Sequence, residues 1–303
     1  MPTPVALVTG CSSGFGRLLV EPLARAGYLV YATMRDVDRR NAFAAAELTE
    51  LRTRQQLDVQ VVPMDVTSDA EVEQAVRMIE RQAGRVDVLV NNAGCMSGGI
   101  TEAFSVKEFE QQFQTNVIGV FRVTRAVLPM MRRQHSGLLV YMSAAAARIA
   151  LPFFAAYGAS KAALDALGES LRYELAPFEI DSVIVEPAVF HTRLFSSAHR
   201  PADGMRAIEY GATAAIPGQL FAAFDQMFDT QPDETDAHRV VEAVLGLIAM
   251  PPGQRPLRTV VGDANLGAAK INELTASVGR EMLAAVGLQH LENVATARAA
   301  AIA

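Results

Sequence analysis

The stretch "VALVTGCSSGFG" (residues 5–16) joins a short apolar run to a loop that carries Gly10, Gly14 and Gly16. A run this apolar is typical of a strand buried on both faces of a sheet. Glycines directly after such a strand allow a sharp turn and bring amide hydrogens and the positive end of a helix against a pyrophosphate. The stretch therefore predicts a dinucleotide-binding loop, with a purely structural strand-to-helix turn as the alternative.

The same alternation of apolar runs and longer helical patterns continues along the chain. Further strands are predicted at "LVYATM" (29–34), "VQVVPM" (59–64), "VDVLVN" (86–91), "LLVYMS" (138–143), "DSVIVE" (181–186) and "RTVVG" (258–262). Helices are predicted to start near Gly14, Val37, Ser68, Lys107 and Phe154. Right-handed crossovers between such strands make a doubly wound parallel sheet, so we expect an α/β, Rossmann-type fold of about seven strands.

Local signals support these boundaries. Gly27, Gly84 and Gly137 each fall just before a predicted strand, where a helix commonly ends in a left-handed residue. Ser68 and Glu71 match a capping box at the start of a helix. Because no linker rich in Pro, Gly or Ser interrupts the alternation, we expect one domain over residues 1–303.

The pattern changes in the last third of the chain. Residues 190–235 mix phenylalanines with turn residues, and the spacing of Phe221, Phe224 and Phe228 puts three rings on one helical face. Such a stripe most often packs into the protein core. The alternative is that it covers a ligand pocket, and on that interpretation the segment is predicted to be a helical lid. Residues 264–303 are expected to form a C-terminal helical extension.

Composition excludes several classes of function. The chain has 303 residues, half of them hydrophobic, and a net charge of −6 without a basic block, so no nucleic-acid role is expected. Two distant cysteines, Cys11 and Cys95, make neither a metal cluster nor a disulfide framework. The first residues lack a signal-peptide pattern and no window is apolar enough to span a membrane, so we expect a soluble, cytoplasmic protein.

A second informative stretch, "AAYGASKAALDAL" (residues 155–167), places Tyr157 and Lys161 four residues apart. Residues at i and i+4 share a helical face, so the ammonium is expected to favour the phenolate and lower the pKa of the phenol. That would suit Tyr157 to acid/base chemistry near neutral pH. An ordinary pair on a surface helix is the alternative.

Several motifs together extend the pattern. The loop spacing (Thr-Gly, three residues, Gly, one residue, Gly) is followed by "NNAG" (91–94), Asn116, Ser143, "YGASK" (157–161) and "EPAVFHT" (186–192). In this order and spacing, over roughly residues 5–195, the chain resembles the short-chain dehydrogenase/reductase family, and in particular its NADP-dependent hydroxysteroid and retinol dehydrogenases. One departure is Pro187-Ala188, where many members have Pro-Gly.

The resemblance implies a catalytic set of Asn116, Ser143, Tyr157 and Lys161. Tyr157 would donate a proton to a carbonyl oxygen as hydride arrives from the nicotinamide, while Ser143 hydrogen-bonds that oxygen. Lys161 would also bind the nicotinamide ribose, and Asn116 would support a water that relays protons to Lys161. The alternative for Ser143 is a cap on the helix after its strand.

The resemblance also implies a cofactor site. Its expected residues are Gly10, Ser12, Ser13, Gly14, Phe15, Gly16, Arg35, Asp65, Val66, Asn92, Ala93, Gly94, Tyr157, Lys161, Pro187, Val189 and Thr192. Arg35 follows a neutral Met34, and a guanidinium suits a 2′-phosphate, so NADP(H) is favoured over NAD. Asp36 turning toward the ribose is the alternative. Asp65 is expected to accept from the adenine amino group, to cap the next helix, or both.

The substrate pocket is expected to be mostly apolar. Its predicted residues are Met96, Ser143, Ala145, Ile149, Phe153, Tyr157, Phe190 and Phe195. Such a lining favours a hydrophobic ketone or aldehyde and the corresponding alcohol. His191 and His199 are too sparse to form a metal site, so no metal is expected.

The sequence thus predicts an NADP(H)-dependent oxidoreductase that interconverts a hydrophobic carbonyl compound and its alcohol. Two alternatives stay open: a non-redox enzyme of the same fold, such as a halohydrin dehalogenase, and a cofactor-sensing protein without turnover. Family members commonly pair their fourth and fifth helices. We therefore expect a homodimer, with a tetramer possible.

Overall fold

Seven parallel strands form the centre of the computed structural model, which describes residues 2–262 and 267–302. The strands are β1 (Val5–Val8), β2 (Leu29–Met34), β3 (Val59–Pro63), β4 (Val88–Asn91), β5 (Gly137–Met142), β6 (Ile180–Pro187) and β7 (Arg258–Val261). They lie in the order β3-β2-β1-β4-β5-β6-β7, and each neighbouring pair is parallel. The predicted doubly wound sheet is confirmed. Along the chain, β2 and β3 are added on one side of β1, and β4 to β7 are then added on its other side. Such sheets bind ligands at this switch point, between β1 and β4.

Helices cover both faces of the sheet. They are α1 (Gly14–Arg25), α2 (Ala42–Gln55), α3 (Asp69–Ala83), α4 (Val106–Phe113), α5 (Val120–Gln134), α6 (Ala155–Leu175), α7 (Arg193–Ser196), α8 (Gly204–Ile208), α9 (Ile216–Thr230), α10 (His238–Ala249), α11 (Ala268–Ala285) and α12 (Val294–Ile302). One apolar core joins α1 and α10 to the sheet, through Leu19, Leu23 and Val244 among others. A second joins α3, α5 and α6 to the opposite face. Burial on both faces explains why the strands are apolar throughout.

One predicted helix start is wrong. A helix was expected from near Val37, and α2 begins only at Ala42. Asp36 has a φ of 51°, and its carbonyl accepts hydrogen bonds from the backbone of Arg39 (3.1 Å) and Asn41 (3.0 Å). The chain therefore turns before the helix starts, and residues 36–41 become a loop beside the end of β2.

The helix predicted to start near Lys107 is interrupted. A π-helical turn, Gln114–Gly119, separates α4 from α5. Such turns widen the helix by one residue and often occur at functional sites. Ser105 and Glu108 form a complete capping box before α4, which the sequence analysis did not single out.

The predicted helix ends are only partly correct. Gly27 (φ 90°) and Gly84 (φ 70°) are left-handed as expected. Gly137 instead starts β5, and His135, with a φ of 47°, ends the preceding helix. An added Cβ at Gly137 would lie 2.6 Å from the sulfur of Met131, so close packing explains this glycine better than a left-handed turn does.

The proposed capping box at the start of α3 forms only by half. Ser68 accepts a hydrogen bond from the backbone N–H of Glu71 at 3.3 Å. The Glu71 carboxylate accepts instead from the backbone N–H of Asp65 at 2.8 Å. It therefore stabilises the loop after β3, at the carboxyl edge of the sheet.

Residues 190–235 contain α7, α8 and α9, and the aromatic stripe faces inward. Phe221 packs on Phe154, with ring centroids 5.3 Å apart, in a small apolar cluster that also contains Tyr157 and Met96. Phe228 stacks on His191 at 4.8 Å. The phenylalanines of the stripe thus form the apolar core of residues 190–235 and also cover the region around Tyr157.

The C-terminal residues are helical where they are described, in α11 and α12. Of the predicted extension, residues 264–266 and 303 lie outside the described residues. Across the described ranges, no helix combines the length and the apolar character that crossing a membrane would require.

We predict that the approach of α6 to the sheet depends on Gly168. A Cβ added there would lie 3.0 Å from Tyr141 Cδ2 and 3.2 Å from Ile184 Cγ1. Gly168→Val should therefore lower the free energy of unfolding by ~2 kcal/mol, measured by urea denaturation.

Gly246→Ala is the matched control, because Gly246 lies within α10 with no atom near its hypothetical Cβ. It should leave stability unchanged or raise it by up to ~1 kcal/mol. A Gly168→Val protein as stable as the wild type would contradict the close packing.

Candidate active site

A cavity of about 950 Å³ runs along the carboxyl ends of the strands. It extends from the glycine loop after β1, past the ends of β2 and β3, to the residues around Tyr157. Every residue predicted for the site lines this cavity except Gly16, Asn116 and Phe153. The structure therefore brings together side chains from most of the chain at one edge of the sheet.

The glycine loop is shaped by close packing. Gly10 (φ 72°) and Gly14 (φ 57°) are left-handed. A Cβ on Gly10 would lie 2.8 Å from the Ala93 Cα, and one on Gly16 would lie 2.6 Å from the Gly10 carbonyl oxygen and collide with Asn92. Gly16 is thus needed beneath the loop, although it does not line the cavity. The Ser13 side chain makes no cap, so the first amides of α1 keep their capacity to bind an anion.

Thr9 and Asn92 tie this loop to the end of β4. Asn92 donates through its amide to the carbonyls of Thr9 (2.8 Å) and Gly10 (3.2 Å). The Thr9 hydroxyl accepts from the backbone N–H groups of Asn92 (3.0 Å) and Ala93 (2.9 Å). Asn92 and Ala93 therefore hold the shape of the loop as well as lining the cavity.

The end of β2 presents positive charge. Arg35 and Arg40 both line the cavity, together with Asn41, whose amide donates to the Arg35 carbonyl at 2.6 Å. The alternative residue Asp36 is exposed and lies outside the lining. Sequence reasoning missed Arg40 because it assigned residues 37–41 to a helix. A turn signal in "RDVDRRN" was the available clue.

Asp65 lies opposite Arg35, with 3.7 Å between Arg35 Nη1 and Asp65 Oδ2. Its other oxygen accepts from the backbone N–H (2.8 Å) and the hydroxyl (2.7 Å) of Thr67. Asp65 therefore stabilises the turn before α3, whereas the cap of that helix, one of the two roles predicted for Asp65, is made by Ser68. Val66 lines the cavity beside Asp65.

Tyr157 and Lys161 share one buried face of α6. Lys161 Nζ lies 5.8 Å from the centre of the Tyr157 ring and donates a 2.6 Å hydrogen bond to the Met142 carbonyl at the end of β5. Burial lowers the pKa of Lys161 to about 8, against the smaller opposing effects of Cys95 and Asp165. The ammonium is thus still the main form at neutral pH.

The expected lowering of the Tyr157 pKa is wrong for this arrangement. Burial raises the pKa of the phenol above its ordinary value of 10, and Cys95 adds a smaller effect in the same direction. Desolvation of the phenolate is the dominant cause, because the Lys161 ammonium is directed to the Met142 carbonyl. Tyr157 therefore keeps its proton at neutral pH.

Asn116 lies behind the cavity wall, inside the π-helical turn. Its amide donates to the carbonyl of Cys95 (3.0 Å) and the hydroxyl of Ser160 (3.0 Å), and its oxygen accepts from the Cys95 N–H (2.9 Å). A Cβ on Gly94 would lie 3.4 Å from Asn116 Oδ1 and 3.8 Å from Lys161 Nζ. Asn116 and Lys161 thus both border Gly94, and the Asn116 side chain holds the chain after β4 in place.

Ser143 follows β5 and is buried. Its hydroxyl donates to Asp165 Oδ1 on α6. The alternative role predicted for Ser143, a cap on the following helix, is wrong, because the next helical turn begins after Ala144 and receives no side-chain cap. Sequence reasoning missed Asp165, although its spacing, four residues after Lys161, places it on the face of α6 that carries the predicted catalytic pair.

Five of the residues predicted for the substrate pocket line the cavity: Met96, Ala145, Ile149, Phe190 and Phe195. Phe190 packs edge-on against Phe15 of the glycine loop, with ring centroids 6.0 Å apart. Phe153 is a wrong prediction and Phe154 takes its place. Phe153 has a φ of 69°, which redirects the backbone so that its carbonyl accepts from the Gly99 N–H at 2.8 Å.

Two aromatic rings complete the wall of the apolar end of the cavity. Phe224 of α9 lines the cavity and meets Phe195 edge-on, with ring centroids 5.2 Å apart. The roof interpretation of the aromatic stripe therefore applies to Phe224, whereas Phe221 and Phe228 are buried in the segment itself.

The segment after β6 closes the cavity beside the glycine loop. Pro187, Val189 and Thr192 line it, and Thr192 caps α7 by accepting from the Leu194 N–H at 3.4 Å. Ala188 stands where many members of the family that the sequence resembles have glycine. Its backbone N–H donates to the Val261 carbonyl at 2.8 Å. An alanine is thus accommodated in this backbone.

The sheet order and the glycine loop at its switch point define a Rossmann-type α/β protein. Residues 4–202 match the family model described as short chain dehydrogenase. Retinol dehydrogenase 8 of Bos taurus is 33% identical over 263 residues, which cover 84% of this chain and 81% of that protein. The chain belongs to the short-chain dehydrogenase family.

Solved structures agree. A short-chain dehydrogenase from Streptomyces avermitilis superposes with a TM-score of 0.73 at 30% identity, covering 94% of this chain and 96% of that one. An alcohol dehydrogenase from the archaeon Thermococcus sibiricus, complexed with 5-hydroxy-NADP, has a TM-score of 0.68 at 25% identity, with coverages of 86% and 96%.

The buried ammonium of Lys161 is expected to reduce stability. A lysine whose folded pKa is about 8 and whose ordinary pKa is 10.5 binds fewer protons when folded, so the stability of the wild type should rise between these two pH values. Lys161→Met should raise the free energy of unfolding by ~2 kcal/mol at neutral pH, and this gain should shrink at about pH 10.

Urea denaturation at both pH values measures this effect. Lys107→Met, at an exposed position, is the control and should change stability little at either pH. An identical gain for Lys161→Met at both pH values would show that packing, and not the buried charge, causes it.

Proposed function

We propose that this chain is an NADP(H)-dependent oxidoreductase that interconverts a hydrophobic ketone or aldehyde and its alcohol. One observation carries the proposal. A single cavity connects the glycine loop and two arginines with the buried Tyr157, Lys161 and Ser143 and then with an apolar end. Such a cavity has room for a dinucleotide and a substrate side by side.

The chain's own residues fit a dinucleotide. Gly10 and Gly14 line the cavity at the start of α1, and the first amides of that helix receive no cap from Ser13, so they can bind a pyrophosphate. Arg35 and Arg40 would bind a 2′-phosphate, and Lys161 would bind the nicotinamide ribose. When bound, the cofactor supplies or accepts the hydride. The Thermococcus structure named above contains an NADP derivative, which supports this assignment.

The phenol of Tyr157 is the proposed proton donor. Its raised pKa keeps it protonated at neutral pH, so it can donate to the oxygen of a carbonyl substrate as negative charge develops there. The nearby Lys161 ammonium favours the phenolate that remains. Ser143 would hydrogen-bond the same oxygen, and Asn116 would hold the Cys95 backbone that borders the site.

Apolar walls support a hydrophobic substrate. Met96, Ile149, Phe154, Phe195 and Phe224 surround the end of the cavity beyond Tyr157. Retinol dehydrogenase 8, one of the relatives, is named for a hydrophobic alcohol, which agrees with this lining. We propose that the 190–235 segment acts as a lid over this end.

We also propose a homodimer through the helices predicted as fourth and fifth, which correspond to α4 with α5 and to α6. Ile118 and Phe121 leave 40% and 46% of their surface exposed at the junction of the π-helical turn and α5. Apolar side chains exposed side by side favour contact with a second copy.

Tyr157→Phe should lower the rate of NADPH oxidation about 10²- to 10⁴-fold, because it removes the proton donor and keeps the ring. The assay uses 1-phenyl-1-propanone, 2-decanone, a steroid 17-ketone and all-trans-retinal. The affinity for NADPH should stay unchanged. Tyr173→Phe, on the same helix, is the control and should behave as the wild type.

Two results would contradict the proposal. A Tyr157→Phe protein with wild-type rates would remove Tyr157 from the mechanism. A wild-type protein that binds NADPH tightly but oxidises it with none of the four substrates would favour the cofactor-sensing alternative.

Arg35→Ser and Arg40→Ser should each weaken NADPH binding about 10- to 100-fold and leave NADH binding almost unchanged, because only NADPH carries the 2′-phosphate. Fluorescence titration with both nucleotides measures this. Arg39→Ser is the control, since Arg39 lies in the same loop outside the cavity lining. Equal losses for NADH and NADPH would contradict the phosphate role.

A further inference from the structure

A cluster of buried polar and charged side chains lies behind Ser143, where four elements meet. Asp165 comes from α6, Glu186 from β6, Arg258 from β7 and Asn272 from α11. The carboxylates are almost fully buried, with exposures of 2% for Asp165 and 0% for Glu186. Burying several ionisable groups together is costly unless they pair and hydrogen-bond well.

Ser143 is the link between this cluster and the cavity. Its hydroxyl donates to Asp165 Oδ1. A serine hydroxyl has a single hydrogen, so a hydrogen given to Asp165 cannot at the same time be given to a ligand in the cavity.

The second oxygen of Asp165 faces Glu186. Asp165 Oδ2 and Glu186 Oε1 are both buried and receive no hydrogen bond from any donor, although the two carboxyl groups lie within hydrogen-bonding reach of each other. Two carboxylate oxygens are acceptors only, so they can bond each other only when a proton lies between them. A single proton held between the two carboxyl groups would satisfy both oxygens.

Other charges face this pair from every side. Arg258 Nε lies 3.4 Å from Glu186 Oε1 and 3.9 Å from Asp165 Oδ2, while its Nη2 pairs with Glu169 at 2.5 Å. Arg148 and Lys161 add positive charge near Asp165. One guanidinium is thus shared by three carboxyl groups, so the negative charge of the Asp165–Glu186 pair is not fully balanced by positive charge.

The acidity of the pair agrees with a retained proton. Burial raises the pKa of Glu186 to about 7, with Asp165 adding to the effect and the amide of Asn272, which donates to Glu186 Oε2 at 2.5 Å, opposing it. Burial also raises the pKa of Asp165. The pair is therefore expected to exchange its proton with solvent in the neutral range.

We propose that Asp165 is a positioning residue that decides whether Ser143 donates or accepts a hydrogen bond in the cavity, according to the proton it shares with Glu186. This inference rests on the proposed function. With Asp165 ionised, Ser143 gives its hydrogen to Asp165 and presents lone pairs to the cavity, which suits the O–H of an alcohol. When Asp165 Oδ2 carries the shared proton, Oδ1 belongs to a neutral carboxylic acid and accepts the Ser143 hydrogen more weakly, so Ser143 can give that hydrogen to a carbonyl oxygen instead.

The wild-type KM for a ketone should consequently rise about fivefold from about pH 6 to about pH 9, the factor that one neutral hydrogen bond supplies. The probe is whichever of the four carbonyl compounds above gives the highest kcat/KM. Asp165→Asn cannot ionise and should show a KM independent of pH. Glu186→Gln donates to Asp165 and keeps it ionised, so its KM should stay at the high-pH value throughout.

Glu174→Gln is the matched control. Glu174 is exposed on the same helix, accepts a hydrogen bond from Ser170 at 3.2 Å and is not one of the three carboxylates that pair with Arg258, so its pH profile should match the wild type. In a Ser143→Ala background, Asp165→Asn should have no additional effect on KM. A full additional effect there, or a wild-type pH profile in Asp165→Asn, would overturn the proposal.

An infrared titration tests the shared proton without turnover. A protonated buried carboxyl has its own C=O stretch, which should be present in the wild type and in Glu174→Gln near pH 6 and disappear as the pH rises past neutral. It should be absent in Glu186→Gln at neutral pH. A wild type without this band overturns the proposal, even where a variant fails to fold.

The kinetics separate this inference from the proposed function. If Tyr157→Phe abolishes turnover while Asp165→Asn keeps the wild-type pH profile, only the role of Asp165 is wrong. If Tyr157→Phe keeps full turnover, the proposed function itself is wrong, whatever the infrared titration shows.

Discussion

The site depends on how closely helix α6 is held against the carboxyl end of strand β5. Lys161 donates to the Met142 carbonyl, Ser143 donates to Asp165, and Gly168 leaves room for Tyr141 and Ile184. These contacts bury one face of α6 that carries polar groups at every turn. Burial then sets the chemistry, because it keeps the Tyr157 phenol protonated and makes the Lys161 ammonium more acidic.

That burial has a cost for the fold. An ammonium and a cluster of carboxyl groups are kept away from water where an apolar core would be more stable, and atoms such as Asp165 Oδ2 and Glu186 Oε1 receive no ordinary donor. The large apolar cores on both faces of the sheet supply the stability that such a site requires. Functional sites commonly retain polar groups that oppose stability in this way.

The places where sequence reasoning was wrong have local physical causes. Arg40 lines the cavity because the chain turns at Asp36 before α2 begins, and single turns are weak signals beside helical periodicity. Phe154 replaces Phe153 because one left-handed residue redirects the backbone. Asn116 interrupts a helix that looked continuous, since its side chain bonds the Cys95 backbone and the helix widens to a π turn around it.

The sequence by itself determined the parallel sheet, the glycine loop, and the shared helical face of Tyr157 and Lys161. Each of these follows from patterns within a few residues, such as apolar runs, glycine spacing and the i, i+4 relation. Only the tertiary structure decided the direction of the Tyr157 pKa and the meeting of Asp165, Glu186 and Arg258. Desolvation and charge pairing depend on elements that are distant in the chain, and no local pattern records how closely those elements pack.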